Sequence, residues 1–104
     1  MNNIFDLNGR TALITGSSRG IGRSLAIGFA NAGCDVIIHS YDSSKKANDT
    51  VKEIKNKGRK SFYISQDLST TDCAEKIWQK LLEKISGIDI LVLNASQQIS
   101  QKWE

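Results

Sequence analysis

Short apolar runs alternate with segments of helical period along this chain. Residues 36–38 and 90–93 are continuously apolar, which is typical of strands in a parallel sheet whose two faces are both covered. The pattern predicts strands near residues 10–15, 35–39, 60–66 and 88–93, and helices near residues 20–32, 44–57 and 70–85. The order βαβαβαβ therefore places helices on both sides of one sheet.

Apolar residues at three- and four-residue spacing predict which face each helix buries. The predicted stripe of the first helix is Ile21, Leu25, Ala26, Phe29 and Ala30. The stripe of the third helix is Ala74, Ile77, Trp78, Leu81, Leu82 and Ile85, so Trp78 is expected in the core. Glycine is common just after a helix, which predicts helix ends at Gly33, Gly58 and Gly87.

Right-handed crossovers restrict how four parallel strands can be ordered. If the first three strands step one way and the fourth returns beside the first, the order is 3-2-1-4, as in the first part of a dinucleotide-binding fold. We therefore predict an α/β fold, a three-layer Rossmann-type parallel sheet that is truncated after its fourth strand. The reversal between strands 1 and 4 opens a crevice at their carboxyl ends.

Length and composition are those of one domain spanning residues 1–104. No stretch approaches the roughly 18 apolar residues of a membrane span, and the amino terminus does not resemble a signal peptide, so we expect a cytoplasmic protein without a membrane partner. Seven basic residues between positions 45 and 60 are interspersed with Asp49 and Glu53, which indicates a solvated helix face rather than a nucleic-acid site. Cys34 and Cys73 are expected to be reduced and structural, and no metal site is predicted.

The segment Thr-Gly-Ser-Ser-Arg-Gly-Ile-Gly, residues 15–22, lies between the first predicted strand and the first predicted helix. Glycine permits the sharp turn, and the amino terminus of a helix presents unpaired N–H groups to an anion. This placement predicts a ligand that carries phosphate. The spacing, with three residues and then one between successive glycines, is the reverse of the common dinucleotide fingerprint.

Thr-Gly-x-x-x-Gly-x-Gly is the signature that the chain shares with the short-chain dehydrogenase/reductase family, whose members are NAD(P)-dependent oxidoreductases acting on alcohols and carbonyls. Asp67-Leu68 resembles the family's Asp-Val/Leu pair at the adenine pocket, with a helix-capping Asp as the alternative. Asn94-Ala95 matches part of the family's Asn-Asn-Ala-Gly, from which Leu93 and Ser96 depart. The cofactor-binding residues that the resemblance implies are Thr15, Gly16, Ser18, Arg19, Gly20, Ile21, Gly22, Ser40, Asp67, Leu68, Asn94 and Ala95.

The choice of cofactor depends on charge near the end of the second strand. An acidic residue there grips the ribose 2′-hydroxyl of NAD, whereas the 2′-phosphate of NADP needs cationic contacts. Ser40 occupies this position, and the resemblance implies that Arg19 is a basic residue of NADP-preferring members. NADP is therefore expected over NAD, although an alignment shifted by two residues would make Asp42 an NAD-type acid.

The family's catalytic groups are a Ser and a Tyr-x-x-x-Lys pair on a later helix, the Tyr acting as acid or base. Tyr41 and Lys45 have this spacing, but they follow the second strand at the adenosine end of the crevice and are not expected to be catalytic. His39, the only histidine, lacks a triad arrangement and is expected near the adenosine pocket. No catalytic residue is therefore assigned.

Three functional hypotheses remain open. The chain is similar to the amino-terminal, NADP(H)-binding portion of a short-chain reductase, most like those of the 3-oxoacyl-carrier-protein type. Alternatively, it is a dinucleotide-binding module without turnover, or a fragment that needs a complementary chain because its fourth strand leaves an apolar edge. Family members are usually homo-oligomers, and the interface elements would follow residue 104. The substrate and the direction of reaction are not predicted.

Overall fold

The computed structural model describes residues 6–41 and 44–94. Within them, four parallel strands form one sheet in the order β3-β2-β1-β4, which confirms the predicted 3-2-1-4 topology. Helices alternate with strands in the predicted sequence. The elements are β1 (Thr11–Ile14), α1 (Gly20–Asn31), β2 (Asp35–Ser40), α2 (Ser44–Asn56), β3 (Ser61–Ser65), α3 (Cys73–Leu82) and β4 (Ile90–Val92).

Register brings the ends of the central strands together. Ile14 lies opposite Ile38 of β2 on one side and Val92 of β4 on the other. The residues that directly follow these three positions therefore lie side by side at the carboxyl edge of the sheet. This edge carries the glycine-rich turn between β1 and α1, which is called the glycine turn below and comprises residues 15–20.

The core has one layer on each face of the sheet. On one face, Ile14 and Ile38 pack with Ala26 of α1 and Ile54 of α2. On the other face, Leu13 and Ile37 pack with Ile77 and Leu81 of α3. The alternation of side chains along each strand supplies both layers, as expected of a parallel sheet covered on both sides.

Five residues of the predicted apolar stripes are exposed: Ile21 and Leu25 of α1, and Ala74, Trp78 and Leu82 of α3. Ile21 is 74% exposed, because the buried side of α1 runs through Gly22, Ala26 and Ala30 and leaves Ile21 outside. Trp78 is 43% exposed, because α3 buries Ile77 and Leu81 and turns Trp78 toward an open groove beside β4. Helical spacing identified the apolar face of each helix, but it did not show which residues of that face pack against the sheet.

The ends of the helices agree with the prediction except in α3. Gly33 and Gly58 have positive φ angles of 107° and 83° after α1 and α2, as expected of residues that end a helix. The third helix begins at Cys73 and ends at Leu82, so Gly87 is not its stop. Within the described ranges, no helix is both long and apolar enough to cross a membrane.

Candidate functional site

The glycine turn changes direction through two residues with positive φ. Gly16 has φ 64° and Gly20 has φ 60°, in the left-handed region that favours glycine. Arg19 precedes α1 in an extended conformation and makes no side-chain capping hydrogen bond, and the first turn of α1 contains no acidic residue. The amino terminus of α1 therefore has neither a capping side chain nor a carboxylate, which leaves its partial positive charge for an anion.

Gly22 allows α1 to pack directly against the turn. A Cβ at this position would lie 2.1 Å from the Gly16 carbonyl oxygen and 2.5 Å from Asn94 Nδ2. No side chain fits at those distances without movement of the backbone. Glycine is therefore required here by the close packing and not by the backbone angle, because the φ of Gly22 is not positive.

Asn94 connects the glycine turn to the end of β4. Its backbone N–H donates to Thr15 Oγ1 at 2.8 Å, and its side-chain Nδ2 donates to the Gly16 carbonyl at 3.2 Å. The Thr15 N–H donates to the Val92 carbonyl at 3.0 Å, which extends the pairing of the two strands. The predicted pair of signatures, the turn and Asn94, therefore lies in one place at the switch point between β1 and β4.

His39 holds the same turn from the other side. The Gly16 N–H donates to His39 Nδ1 at 3.0 Å, and His39 Nε2 lies 2.8 Å from the Gln66 carbonyl oxygen. Because an N–H is a donor and a carbonyl an acceptor, Nδ1 must be unprotonated and Nε2 must carry the hydrogen. His39 is 1% exposed, and burial lowers its pKa below the ordinary 6.5, with the charge of Lys80 acting in the same direction and the bond to Gln66 opposing it.

Two hydroxyl side chains complete the support of the turn. Ser17 Oγ donates to the Ile14 carbonyl at 2.7 Å and accepts the His39 N–H at 3.0 Å. The Oγ1 of Thr50, fully buried on α2, lies 3.4 Å from the Ser18 carbonyl and 3.1 Å from the Lys46 carbonyl of its own helix, so its hydrogen is shared between the two. The backbone of the turn is thus fixed by side chains from α2, β2 and the end of β4.

The remaining predicted site residues lie around this turn. Ser40, at the end of β2, is buried, and its Oγ is 3.3 Å from the Tyr63 hydroxyl. Arg19 and Ile21 are exposed at the start of α1. Asp67 and Leu68 follow β3 and are half-buried. Ala95 and Asp42 lie outside the described residues.

Asp67 makes the local contact that the capping alternative requires. Its Oδ1 accepts the Ser69 N–H at 2.8 Å. The helix itself begins only at Cys73, so this contact closes a turn after β3 and does not cap the helix. An adenine role for Asp67 and a turn-closing role are compatible, because a carboxylate has two oxygens that accept hydrogen bonds.

One pair of residues has the spacing of a catalytic motif. Tyr41 directly follows β2, and Lys45 lies in the first turn of α2. Tyr41 is half exposed, and its carbonyl accepts a hydrogen bond from Ser65 Oγ. Neither residue contacts the glycine turn through a hydrogen bond found in the described part of the chain. No group of metal-ligating side chains occurs there either.

Sequence reasoning missed the roles of His39, Ser17 and Thr50. The available signal was the register, since pairing Ile14 with Ile38 brings the next residue of β2, His39, alongside the turn. Thr50 gave no signal, because its contact with Ser18 depends on how α2 packs in three dimensions. His39 and Thr50 contact the backbone of the turn, and the Ser17 hydroxyl joins the turn to the backbone of β1 and β2.

A parallel sheet with a glycine turn at the β1/β4 switch point defines the class of Rossmann-type nucleotide-binding folds. Residues 10–104 match the family described as short chain dehydrogenase. The chain therefore belongs to the short-chain dehydrogenase/reductase family, and the resemblance seen in its motifs is confirmed.

Similar proteins and structures agree with this assignment. The chain is 35% identical over 92 residues to general stress protein 39 of Bacillus subtilis, covering 88% of this chain and 32% of that protein. It is 38% identical over 86 residues to the 3-oxoacyl-[acyl-carrier-protein] reductase FabG of Staphylococcus epidermidis, covering 83% and 35%. The chain thus spans about a third of the length of these relatives.

Among solved structures, the RhlG/NADP active-site complex of Pseudomonas aeruginosa superposes with a TM-score of 0.81 at 39% identity, covering 91% of this chain and 38% of that one. A 3-oxoacyl-(acyl-carrier-protein) reductase of Agrobacterium tumefaciens with NADP bound gives a TM-score of 0.78 at 40% identity, covering 88% and 35%. Both similarities cover the region that contains the sheet and the glycine turn.

Proposed function

We propose that residues 1–104 form the NADP(H)-binding portion of a short-chain dehydrogenase/reductase. The reaction would transfer hydride between NADP(H) and a carbonyl or alcohol, and the substrate class that we propose is a 3-oxoacyl group on a carrier protein. The observation that carries the proposal is the close packing of Gly22 against the Gly16 carbonyl and Asn94, which brings the start of α1, with no capping side chain and no acidic residue in its first turn, directly against the glycine turn. The similar structures that were solved in complex with NADP support the same cofactor.

Two regions of the chain would bind two parts of the cofactor. The turn residues Thr15, Gly16, Ser18 and Gly20, with the start of α1, would receive the pyrophosphate, since helix amino termini bind anions through N–H groups and the helix dipole. The adenosine end would lie over the carboxyl ends of β2 and β3. The other proposed contacts are Arg19, Ile21, Gly22, Ser40, Asp67, Leu68, Asn94 and Ala95.

The preference for NADP over NAD is proposed from the charge at two positions. Arg19 presents a guanidinium at the mouth of the turn, and Ser40 at the end of β2 supplies no carboxylate to repel a 2′-phosphate. A guanidinium makes charge-assisted, often bidentate contacts with phosphate oxygens. Arg19 would therefore distinguish the two cofactors by contact with the 2′-phosphate alone.

An Arg19→Ala variant tests this preference. Its affinity for NADPH should fall by roughly 1.5–3 kcal/mol, the range for a hydrogen bond to a charged group, while its affinity for NADH stays unchanged. The matched control is Arg23→Ala, because Arg23 is also on the first turns of α1 but already pairs with Glu53 at 2.9 Å. Equal losses of both cofactors in Arg19→Ala, measured by calorimetric titration, would contradict the assignment of Arg19.

Bound NADPH would donate the hydride to a carbonyl, or bound NADP⁺ would accept it from an alcohol, and the residues of the turn would bind and orient the cofactor. Thr15, His39 and Asn94 hold the turn rigid, which fixes where the phosphates sit relative to the sheet. We assign no proton-transfer group, and expect no carbonyl reduction by residues 1–104 alone. Measurable NADPH-dependent turnover by the purified segment would refute that expectation.

The second candidate is a chain without turnover, either a dinucleotide-binding module or a fragment that requires a complementary chain. The fragment is favoured by an apolar groove of about 270 Å³ between α3 and β4, lined by residues that include Trp78, Leu91 and Leu93. Those three side chains are exposed in the described part of the chain, as is Leu82. The intact mass of the purified protein separates the candidates, because a longer chain carrying Ser and Tyr-x-x-x-Lys would favour the enzyme, and a 104-residue chain would favour the module.

A further inference from the structure

Gly16 is held at both of its backbone polar groups by side chains from different strands. Its N–H donates to His39 Nδ1 at 3.0 Å, and its carbonyl accepts from Asn94 Nδ2 at 3.2 Å. The two contacts come from the end of β2 and from the residue that follows β4 by two positions. Together they set the orientation of the first glycine of the turn, whose positive φ starts the change of direction.

The two links differ in their response to pH. An amide such as Asn94 keeps its donors at every physiological pH, whereas a histidine exchanges an acceptor for a donor when it is protonated. If a proton is added to Nδ1, two N–H donors face each other at the Gly16 contact. The contact of Nε2 with the Gln66 carbonyl survives, since Nε2 donates in both states.

We propose that His39 is a positioning residue for the cofactor: its neutral, Nε2-protonated imidazole holds the Gly16 N–H, and the turn binds the NADP(H) phosphates well only in that state. The inference rests on the proposed function, because it concerns the same turn. It adds a proton-dependent support from β2 to a phosphate site that is otherwise formed from backbone N–H groups. His39 itself would touch neither cofactor nor substrate.

The surroundings of His39 favour the neutral ring. The neighbouring elements carry charged and titratable groups: Cys73, Glu75, Lys76 and Lys80 on α3, Tyr63 on β3, Asp67 just after β3 and Arg19 in the glycine turn. Of these, Lys80 is the group whose charge acts on His39. Lys80 donates to the Gln66 side chain at 3.1 Å, and its positive charge and the burial of His39 both lower the pKa of the imidazole. The turn should therefore be intact at neutral pH and lose its His39 contact only in acid.

Two variants separate the two ring contacts. In His39→Asn, Oδ1 is bonded to Cγ as Nδ1 is in histidine, so it can accept the Gly16 N–H without titrating. In His39→Gln, Nε2 can reach toward the Gln66 carbonyl, but no acceptor remains at the Nδ1 position. The first variant keeps the proposed positioning contact and the second keeps the structural contact with β3.

The experiment is a calorimetric titration of each protein with NADP⁺ from about pH 7.5 to about pH 5, across the range in which histidine titrates. At neutral pH we expect His39→Asn to bind within about twofold of the unchanged protein, and His39→Gln to bind about fivefold more weakly, as for one lost hydrogen bond. In acid the unchanged protein should lose affinity relative to His39→Asn. Titration of the NADP⁺ phosphate, whose second pKa is about 6, is common to both proteins and cancels in that ratio.

A measurement on the unchanged protein covers the case in which a variant does not fold. The amide signal of Gly16 in a proton–nitrogen spectrum should shift with pH at the same midpoint as the ring signals of His39. A Gly16 amide that does not follow the ring would overturn the inference.

Other outcomes are equally decisive. The inference alone fails if the unchanged protein and His39→Asn share one pH profile, or if His39→Gln binds as tightly as His39→Asn. Absence of NADP⁺ binding by the unchanged protein at neutral pH would instead contradict the proposed function, and this inference with it.

Discussion

Replacing Gly22 with alanine adds a single methyl group at the most crowded point of the site. The new Cβ would lie 2.1 Å from the Gly16 carbonyl oxygen, and ordinary contact begins near 3.4 Å, so the turn or α1 must move by about 1.3 Å. The obstructing atom is backbone and cannot rotate away. The hydrogen bond from Asn94 to the same carbonyl would be disturbed by this movement, because its Nδ2 lies 2.5 Å from the added carbon.

The same helix offers a matched control. A Cβ at Gly28 would meet no atom within 4 Å, so Gly28→Ala brings only the helix-propensity gain of about 0.5–1 kcal/mol. Gly22→Ala brings the same gain and adds an overpacking cost of about 1–3 kcal/mol. The free energies of unfolding of the two variants should therefore differ by that cost, with Gly22→Ala the less stable.

Urea unfolding followed by circular dichroism measures the stability difference, and titration with NADP⁺ measures the effect on the site. We expect Gly28→Ala to bind as the unchanged protein does and Gly22→Ala to lose most of its affinity. If Gly22→Ala is as stable as Gly28→Ala and binds NADP⁺ normally, the claim that α1 packs closely against the turn is contradicted.

Two further predictions concern the links that hold the turn. Because burial lowers the pKa of His39 below its unfolded value of 6.5, the stability it contributes is complete above that pH and is lost as the pH falls below it, by at most about 1.4 kcal/mol per pH unit. Urea unfolding across this range should show a steeper loss for the unchanged protein than for His39→Asn, and parallel curves would refute it. Asn94→Ala removes the bond to the Gly16 carbonyl while its backbone N–H still reaches Thr15, so it should cost about 1 kcal/mol of stability. Unfolding that is unchanged by Asn94→Ala would exclude a contribution from that bond.

The order of strands and helices could be predicted because each strand is a compact apolar run and each connection is long enough for one helix. Right-handed crossovers restricted the possible sheet orders, and the sheet has the predicted order 3-2-1-4. The first and last residues of α3 were less predictable. Residues 69–72 have the composition of a helix start, but Asp67 uses its Oδ1 to close a turn at Ser69, and the helix begins only at Cys73.

Burial of individual side chains was predictable only where an element packs on the centre of the sheet. Ala26 and Ile77 are buried as expected. Ile21 and Trp78 belong to the same stripes but lie outside the area where their helices pack on the sheet. Periodicity gives the face of a helix, and the extent of the partner surface decides how much of that face is covered. The sequence contains no local signal for that extent.

The candidate site divides in the same way. The glycine spacing and Asn94 were readable because each is a local motif at the end of a strand. The support of the turn by His39 was not, since it depends on the register of β2 against β1 and on the tautomer that Gln66 selects across the sheet. His39 contacts the backbone of the motif without belonging to a motif itself, so the sequence does not mark its role.

The most direct test of the account is a calorimetric titration of the purified protein with NADP⁺ and with NAD⁺ at neutral pH. We expect one site per chain, with NADP⁺ binding more tightly than about 1 mM, which corresponds to about −4 kcal/mol, and more tightly than NAD⁺. Failure to bind either dinucleotide at that concentration would contradict the claim that the glycine turn is a cofactor site.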